Sequence, residues 1–209
     1  MSKTTRIENT KTLLIATNNK GKLLEYNDLL MGLDLDLISP HDIGLSIEVQ
    51  EDGETYLENA SLKAKAFALA SGLTALADDS GLEVDVLGGR PGVYSHRITP
   101  SPEATDADRR SYLLSLLKGK PHPWKARFRC IIVIAQPDGV LHSAEGVCEG
   151  EIVPQEIGEK GFGYDPIFLF QDYGKTMAEL ELAEKNQISH RAHAVFAAIP
   201  ILKNILESN

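Results

Sequence analysis

The chain has 209 residues, 43% of them hydrophobic and 24% charged, which is ordinary globular usage and enough length to bury roughly 70% of the surface an unfolded chain exposes. Its formal charge of −9 argues against wrapping a nucleic acid polymer, which needs a basic face to release counterions. No run of 18 apolar residues is present, so no membrane partner is expected.

The first ten residues, Met1 to Thr10, are polar and contain no hydrophobic leader, so they read as an N-terminal extension to residues 11–209, which form a single domain. A cytoplasmic location follows from the same absence. The run Leu13-Leu14-Ile15-Ala16 then enters Thr17-Asn18-Asn19-Lys20-Gly21-Lys22, and an apolar pattern of helical spacing predicts a helix from Asn19 to Met31. A strand, a loop and a helix start aim backbone N–H groups and the positive end of a helix dipole at the loop, which suits a phosphate. The loop lacks GxxxxGK[ST] and GxGxxG, so an ordinary capped turn remains an alternative.

Further along, Asp34 to Ile38 reads as a strand and Glu54 to Ala70 as a helix, with Tyr56, Ala60, Ala64 and Phe67 on or near one face and Gly72 as its stop. Leu73 to Ala77 predicts a strand that ends in Asp78-Asp79-Ser80-Gly81. Paired acids at a strand end commonly belong to a solvated turn. If the phosphate loop lies beside them, however, two anions face each other and require a cation, and oxygen ligands with a phosphate partner select Mg²⁺. A glycine-rich loop, Gly88 to Gly92, precedes a helix predicted over Asp106 to Leu117. Next, Ala126 to Ala135 and Val140 to Ile152 flank Gln136-Pro137-Asp138-Gly139, a turn sequence that predicts an antiparallel hairpin.

Ser189 is placed to cap a last helix reaching about Leu206, with a kink expected between Phe196 and Pro200. His190 and His193 have metal-ligand spacing on that helix, but no third ligand and no HExxH glutamate accompany them. Cys130 and Cys148 sit in apolar stretches without a CxxC, which predicts core thiols.

Six segments together carry a resemblance. Thr17-x-Asn19-x-x-Lys22-x-x-Glu25, Glu58-Asn59-Ala60, Ala77 to Leu82, Pro91 to Ser95, Gly161 to Phe168 and Ser189-His190-Arg191 resemble, in order, the motifs of the non-canonical purine NTP pyrophosphatases, the inosine triphosphatases. The likeness runs from about Leu13 to Leu206. It implies an α/β fold with an elongated, strongly curved mixed sheet flanked by helices, two lobes with a central cleft, and a homodimer. It also implies Mg²⁺-dependent hydrolysis of ITP, dITP and XTP to the monophosphate and pyrophosphate. In its terms Thr17, Asn18, Asn19, Lys20, Gly21 and Lys22 hold the phosphates, while Glu51 and Asp79 serve the metal. Asp79 is also the catalytic proton acceptor, and Ser80 touches the substrate. Phe162, Gly163, Tyr164, Asp165, Lys185, His190 and Arg191 hold the base and the remainder of the nucleotide.

On charge alone, Lys20, Lys22, Lys185 and Arg191 with one Mg²⁺ are candidates to neutralise a nucleotide while the overall field stays negative. Glu51 shares a crowded loop with Glu48, Asp52 and Glu54. Asp78 and Lys63 are candidates for supporting roles, and Glu58 and Asn59 are open to capping or packing as much as to catalysis. Three positions depart from the pattern: Arg109 stands in place of an expected asparagine, His96 in place of a small residue, and Pro200 lies in the last helix. Two other readings stay open, a Maf-like pyrophosphatase for other modified nucleotides and a nucleotide-binding sensor without turnover.

Overall fold

The computed structural model describes residues 11–207; the polar segment Met1 to Thr10 lies outside the described residues. In chain order the elements are β1 (Lys11–Ile15), α1 (Lys20–Leu29), β2 (Leu35–Ile38), α2 (Tyr56–Ser71), β3 (Ala75–Val84), α3 (Asp106–Leu117), β4 (Trp124–Ala135), β5 (Leu141–Ile152), β6 (Phe168–Phe170), β7 (Lys175–Thr176), α4 (Leu182–Ile188) and α5 (His190–Glu207). The strands form one mixed sheet in the order β2-β1-β3-β4-β5-β6-β7. β1 runs parallel to both β2 and β3, and every later pairing is antiparallel.

Local chemistry accounts for the element ends. Thr55 and Glu58 exchange hydrogen bonds in a capping box at the start of α2, so Glu58 is a cap, and Gly72 stops that helix with a left-handed φ of 69°. A second box, Thr105 with Asp108, opens α3. Ser189 takes Ala192 N–H at 3.2 Å at the start of α5. Pro200 lies inside α5 on its exposed side. Both cysteines are buried free thiols in the sheet.

Apolar side chains gather in three clusters. One packs α1 and α5 on one face of β1, β3 and β4, and another packs α2 on the opposite face. The third lies around Leu82, Leu113, Trp124, Phe128, Phe168 and Met177, toward the β4–β5–β6 end of the sheet.

One expected boundary is corrected. β3 does not end at Ala77; it continues through the acids to Val84, with Asp78 opposite Ile132, Asp79 opposite Ile131 and Ser80 opposite Cys130 on β4. A polar run reads as a strand end only while its surroundings are unknown. Here each acid finds partners from helices, so the ladder proceeds.

The seat of α5 on β5 depends on Gly146. A Cβ there would lie 2.2 Å from both the Ala194 nitrogen and the His190 carbonyl oxygen, which are backbone atoms that cannot swing aside. Gly146→Ala is expected to destabilise the protein by about 1–3 kcal/mol or more through overpacking. Urea unfolding followed by circular dichroism measures the change.

Candidate active site

Neighbouring residues on a strand face opposite sides of the sheet, and in the middle of β3 this separates two adjacent acids. Asp78 turns toward α1 and α5. Its Oδ2 lies 2.9 Å from Lys22 Nζ and 3.1 Å from Arg191 Nη2, and the side chain is buried. Ser80, two residues on, faces the same way and receives Arg191 Nη2 at 3.2 Å. Asp79 turns toward α2, where Asn59 Nδ2 donates to its Oδ2 at 3.0 Å and its own Oδ1 accepts Ser80 N–H at 3.0 Å. Asn59 Oδ1 accepts Gly53 N–H at 2.9 Å, which fixes the amide and with it the Asp79 carboxylate.

The two acids titrate in opposite senses. Burial would raise Asp78, but Lys22, Arg191 and Lys63 outweigh it and hold the carboxyl well below the usual carboxylate range. Burial raises Asp79, against the Asn59 hydrogen bond and the fields of Lys22 and Lys63, and Glu51 adds to the rise. Asp78 is therefore a fixed anion, whereas Asp79 is a carboxylate with an incentive to take a proton.

A cavity of about 400 Å³ opens beside Asp79 and Ser80. Thr17, Asn19, Lys22, Glu51, Phe162, Gly163, Tyr164, Asp165, Lys185, His190 and Arg191 also line it, so most of the residues singled out in the sequence converge. Asn18 lines a smaller cavity of about 260 Å³ that shares Thr17, Glu51 and Lys63 with the first. Lys20 and Gly21 line neither. Asn19 is the N-cap of α1 and accepts Lys22 N–H at 3.1 Å. A Cβ on Gly21 would meet the Phe162 ring at 2.6 Å, so glycine there lets the ring lie against α1.

At the other end, Asp165 is buried and its Oδ2 accepts Phe162 N–H at 2.9 Å and Lys185 Nζ at 2.6 Å. Lys185 also reaches Glu25 Oε1 at 2.8 Å, and Arg191 Nη1 pairs with Glu25 Oε2. Lys185 and Arg191 both sit over the Phe162 ring, at 4.8 and 5.8 Å from its centroid. His190 stacks on Phe128 at 4.7 Å, and burial with the nearby Arg191 and Lys185 pushes it well below its ordinary value, so the ring is neutral. Exposed His193 meets the Val147 carbonyl at 2.7 Å through Nδ1, whereas His190 is buried.

Lys22, Lys185 and Arg191 are not spare cations, because each is already paired with a buried carboxylate from Glu25, Asp78 or Asp165, and Lys20 is exposed outside both cavities. In the sequence Glu25 is named within a motif without a role, and Asp106 and Arg110 are given none. Glu25 had a signal, since a carboxylate beside Tyr26 on the buried side of α1 needs a cationic partner. Lys63 bridges the Asp78 carbonyl at 3.1 Å and Glu51 Oε2 at 2.9 Å. Arg109 donates from Nε to the His96 carbonyl at 2.8 Å, and both residues border the main cavity.

The fold and this cavity describe a hydrolase-like cleft for an anionic ligand, and comparison supplies the lineage. The Ham1 family model matches residues 13–201, and the chain belongs to the Ham1 family. It is 49% identical over 194 residues to a protein of Desulforamulus reducens named dITP/XTP pyrophosphatase, covering 92% of this chain and 96% of that one. A Bacillus subtilis protein of the same name is 46% identical over 186 residues, 88% of this chain and 93% of its own. Among solved structures, a HAM1 protein from Coxiella burnetii superposes with a TM-score of 0.83 at 37% identity, covering 92% and 98% of the two chains. The Staphylococcus aureus Ham1 protein gives 0.79 at 39%, covering 95% and 99%.

Stability separates the two acids. Asp78→Asn removes one partner of a buried ion cluster and is expected to cost roughly 3–5 kcal/mol. Asp79→Asn removes a charge that burial disfavours, so stability should hold or rise. The Asp78 contribution is fully present above the unfolded carboxylate value of about 4 and is lost as pH falls through its depressed folded value. Urea midpoints of both variants between pH 3 and 8 check this, with the Asp78→Asn deficit shrinking only at the acid end.

Proposed function

We propose that this protein hydrolyses non-canonical purine nucleoside triphosphates, ITP, dITP and XTP, to the monophosphate and pyrophosphate, removing them from the nucleotide pool. The observation that carries the reading is the division of labour within β3: one acid locked in an ion cluster, the next turned into the cavity with a raised affinity for protons. The names of the Desulforamulus and Bacillus relatives support the substrate class. A homodimer in the cytoplasm completes the reading.

Glu51 and Asp79 suit Mg²⁺. Both are oxygen donors bordering one cavity, and the like charge of Glu51 already raises Asp79, a repulsion that a cation relieves. Among the described residues no group of three or more His, Cys, Asp or Glu side chains gathers into a cage. Mg²⁺ fits such a site because it keeps waters and takes one or two carboxylates plus substrate phosphates. When bound, it would withdraw charge from the phosphate oxygens and the leaving pyrophosphate.

The chain's own residues do the rest. Thr17, Asn19 and Lys22 border the place of the phosphates, and Asn59 holds Asp79 toward the attacking water. As the water oxygen bonds to the α-phosphorus and the bond to the bridging oxygen breaks, the water proton passes to Asp79. Phe162 offers a face to the purine, with Lys185, His190 and Arg191 behind it.

Incubation with ITP, dITP, XTP, dUTP and the ordinary dNTPs is expected to release pyrophosphate and a monophosphate from the first three. Orthophosphate and a diphosphate as first products would overturn the reaction, and preference for dUTP would favour a Maf-like activity. Asp79→Asn is expected to lower turnover at least about a hundredfold with the fold intact. Because activity needs the Asp79 carboxylate and a cation beside it favours the ionised form, the acid limb of kcat/KM should move to lower pH as Mg²⁺ concentration rises. A pH–rate profile measures this limb.

A further inference from the structure

The loop 162–165 that borders the cavity is held by the N-terminal end of α3, whose Asp106 borders the same cavity. Asp106 Oδ2 accepts Gly163 N–H at 2.8 Å, and Arg110 Nη1 donates to the Gly163 carbonyl at 2.8 Å. Both polar backbone groups of Gly163 are therefore bound by side chains of one helix. Gly163 has φ 61°, a left-handed conformation that only local restraint selects from the many open to glycine. The anchors are themselves fixed. Arg109 Nη1 holds Asp106 Oδ1 at 2.9 Å while its Nε ties down the His96 carbonyl, and Arg110 Nη2 rests on Glu156 at 2.8 Å. On its far side the loop is pinned by Tyr164, whose hydroxyl donates to the Ser95 carbonyl at 2.7 Å.

We propose that Asp106 and Arg110 are positioning residues for base selection, setting the place of Phe162 and Asp165 through the Gly163 backbone. The inference rests on the reading that this loop meets the purine. Arg110 lies outside the cavity lining, whereas Asp106 borders the cavity, so loop exchange is what separates positioning from direct contact. A loop shifted by about 1 Å loses the alignment on which discrimination between similar bases depends, while Asp79 and its Asn59 support, on other elements, are untouched.

The test compares Asp106→Ala, Asp106→Asn, Arg110→Ala and Asp108→Ala with the native enzyme, measuring kcat and KM for ITP and GTP and hydrogen–deuterium exchange across 161–165. Asp106→Ala and Arg110→Ala should lower the ITP-to-GTP ratio of kcat/KM by about tenfold, mostly through KM for ITP. Both should also speed exchange in the loop. Asp106→Asn should recover only part of the ratio, since its amide oxygen still accepts Gly163 N–H while its NH2 faces the Arg109 donor. Asp108→Ala breaks the Thr105 capping box of the same helix; it should lower the melting temperature and leave the ratio and the exchange unchanged. A ratio unmoved in Asp106→Ala, or moved equally by Asp108→Ala, overturns the proposal, as does unaltered exchange in Asp106→Ala. A native enzyme that ignores ITP refutes the substrate reading instead, and the exchange result then decides the role of Asp106 and Arg110.

Discussion

Arg191 is the group around which the cleft is organised. Its guanidinium is 1% exposed, and a buried cation is tolerable only when carboxylates and hydrogen bonds replace its water. Glu25 from α1 and Asp78 from β3 supply the carboxylates, and Ser80 adds a hydroxyl. Three elements far apart in sequence must therefore dock together before the charge is compensated. Lys185 from α4 extends the cluster by pairing with both Glu25 and Asp165, so the loop 162–165 joins the same network. Placement of α1, the central strand and the loop 162–165 is one electrostatic condition rather than three.

That condition has a consequence for binding. Lys22, Lys185 and Arg191 face Glu25, Asp78 and Asp165, so three cations balance three anions before a ligand arrives. A polyphosphate entering the cavity gains direction from these donors but little net positive charge. Lys63 adds a cation and is paired with Glu51. On the proposed function, neutralisation of the phosphates would fall largely to a cation at Glu51 and Asp79, which is consistent with two acids lining the cleft.

Much of this was legible in the residues. The helix at Asp106–Leu117 and the hairpin around Gln136 to Gly139 follow from local signals, a capping box and a turn sequence, that tertiary contacts had no reason to override. The extent of β3 was not legible, because Asp78 and Asp79 look like a strand terminus until Arg191, more than a hundred positions away, is known to lie beside them. The roles of Asp106 and Arg110 were hidden for the same reason. Nothing local announces that Gly163 will present its backbone to the helix that carries them. Local rules reached the elements; long-range charge pairing decided which polar residues are interior.

The same pairing bears on how purines are told apart. Cations fixed by carboxylates are donors of set direction, so a base with a 6-oxo acceptor can use them without reorganisation. Adenine would present its amino donor and leave polar groups unpartnered at a cost of about 1–3 kcal/mol. Guanine shares the 6-oxo group with hypoxanthine, so fixed donors cannot reject it. On the proposed function, its exclusion would arise from space or pairing at the 2-amino group. On that same reading, discrimination against adenine would rest on the buried ion cluster and discrimination against guanine on loop geometry, and the Asp165–Lys185 pair couples the two.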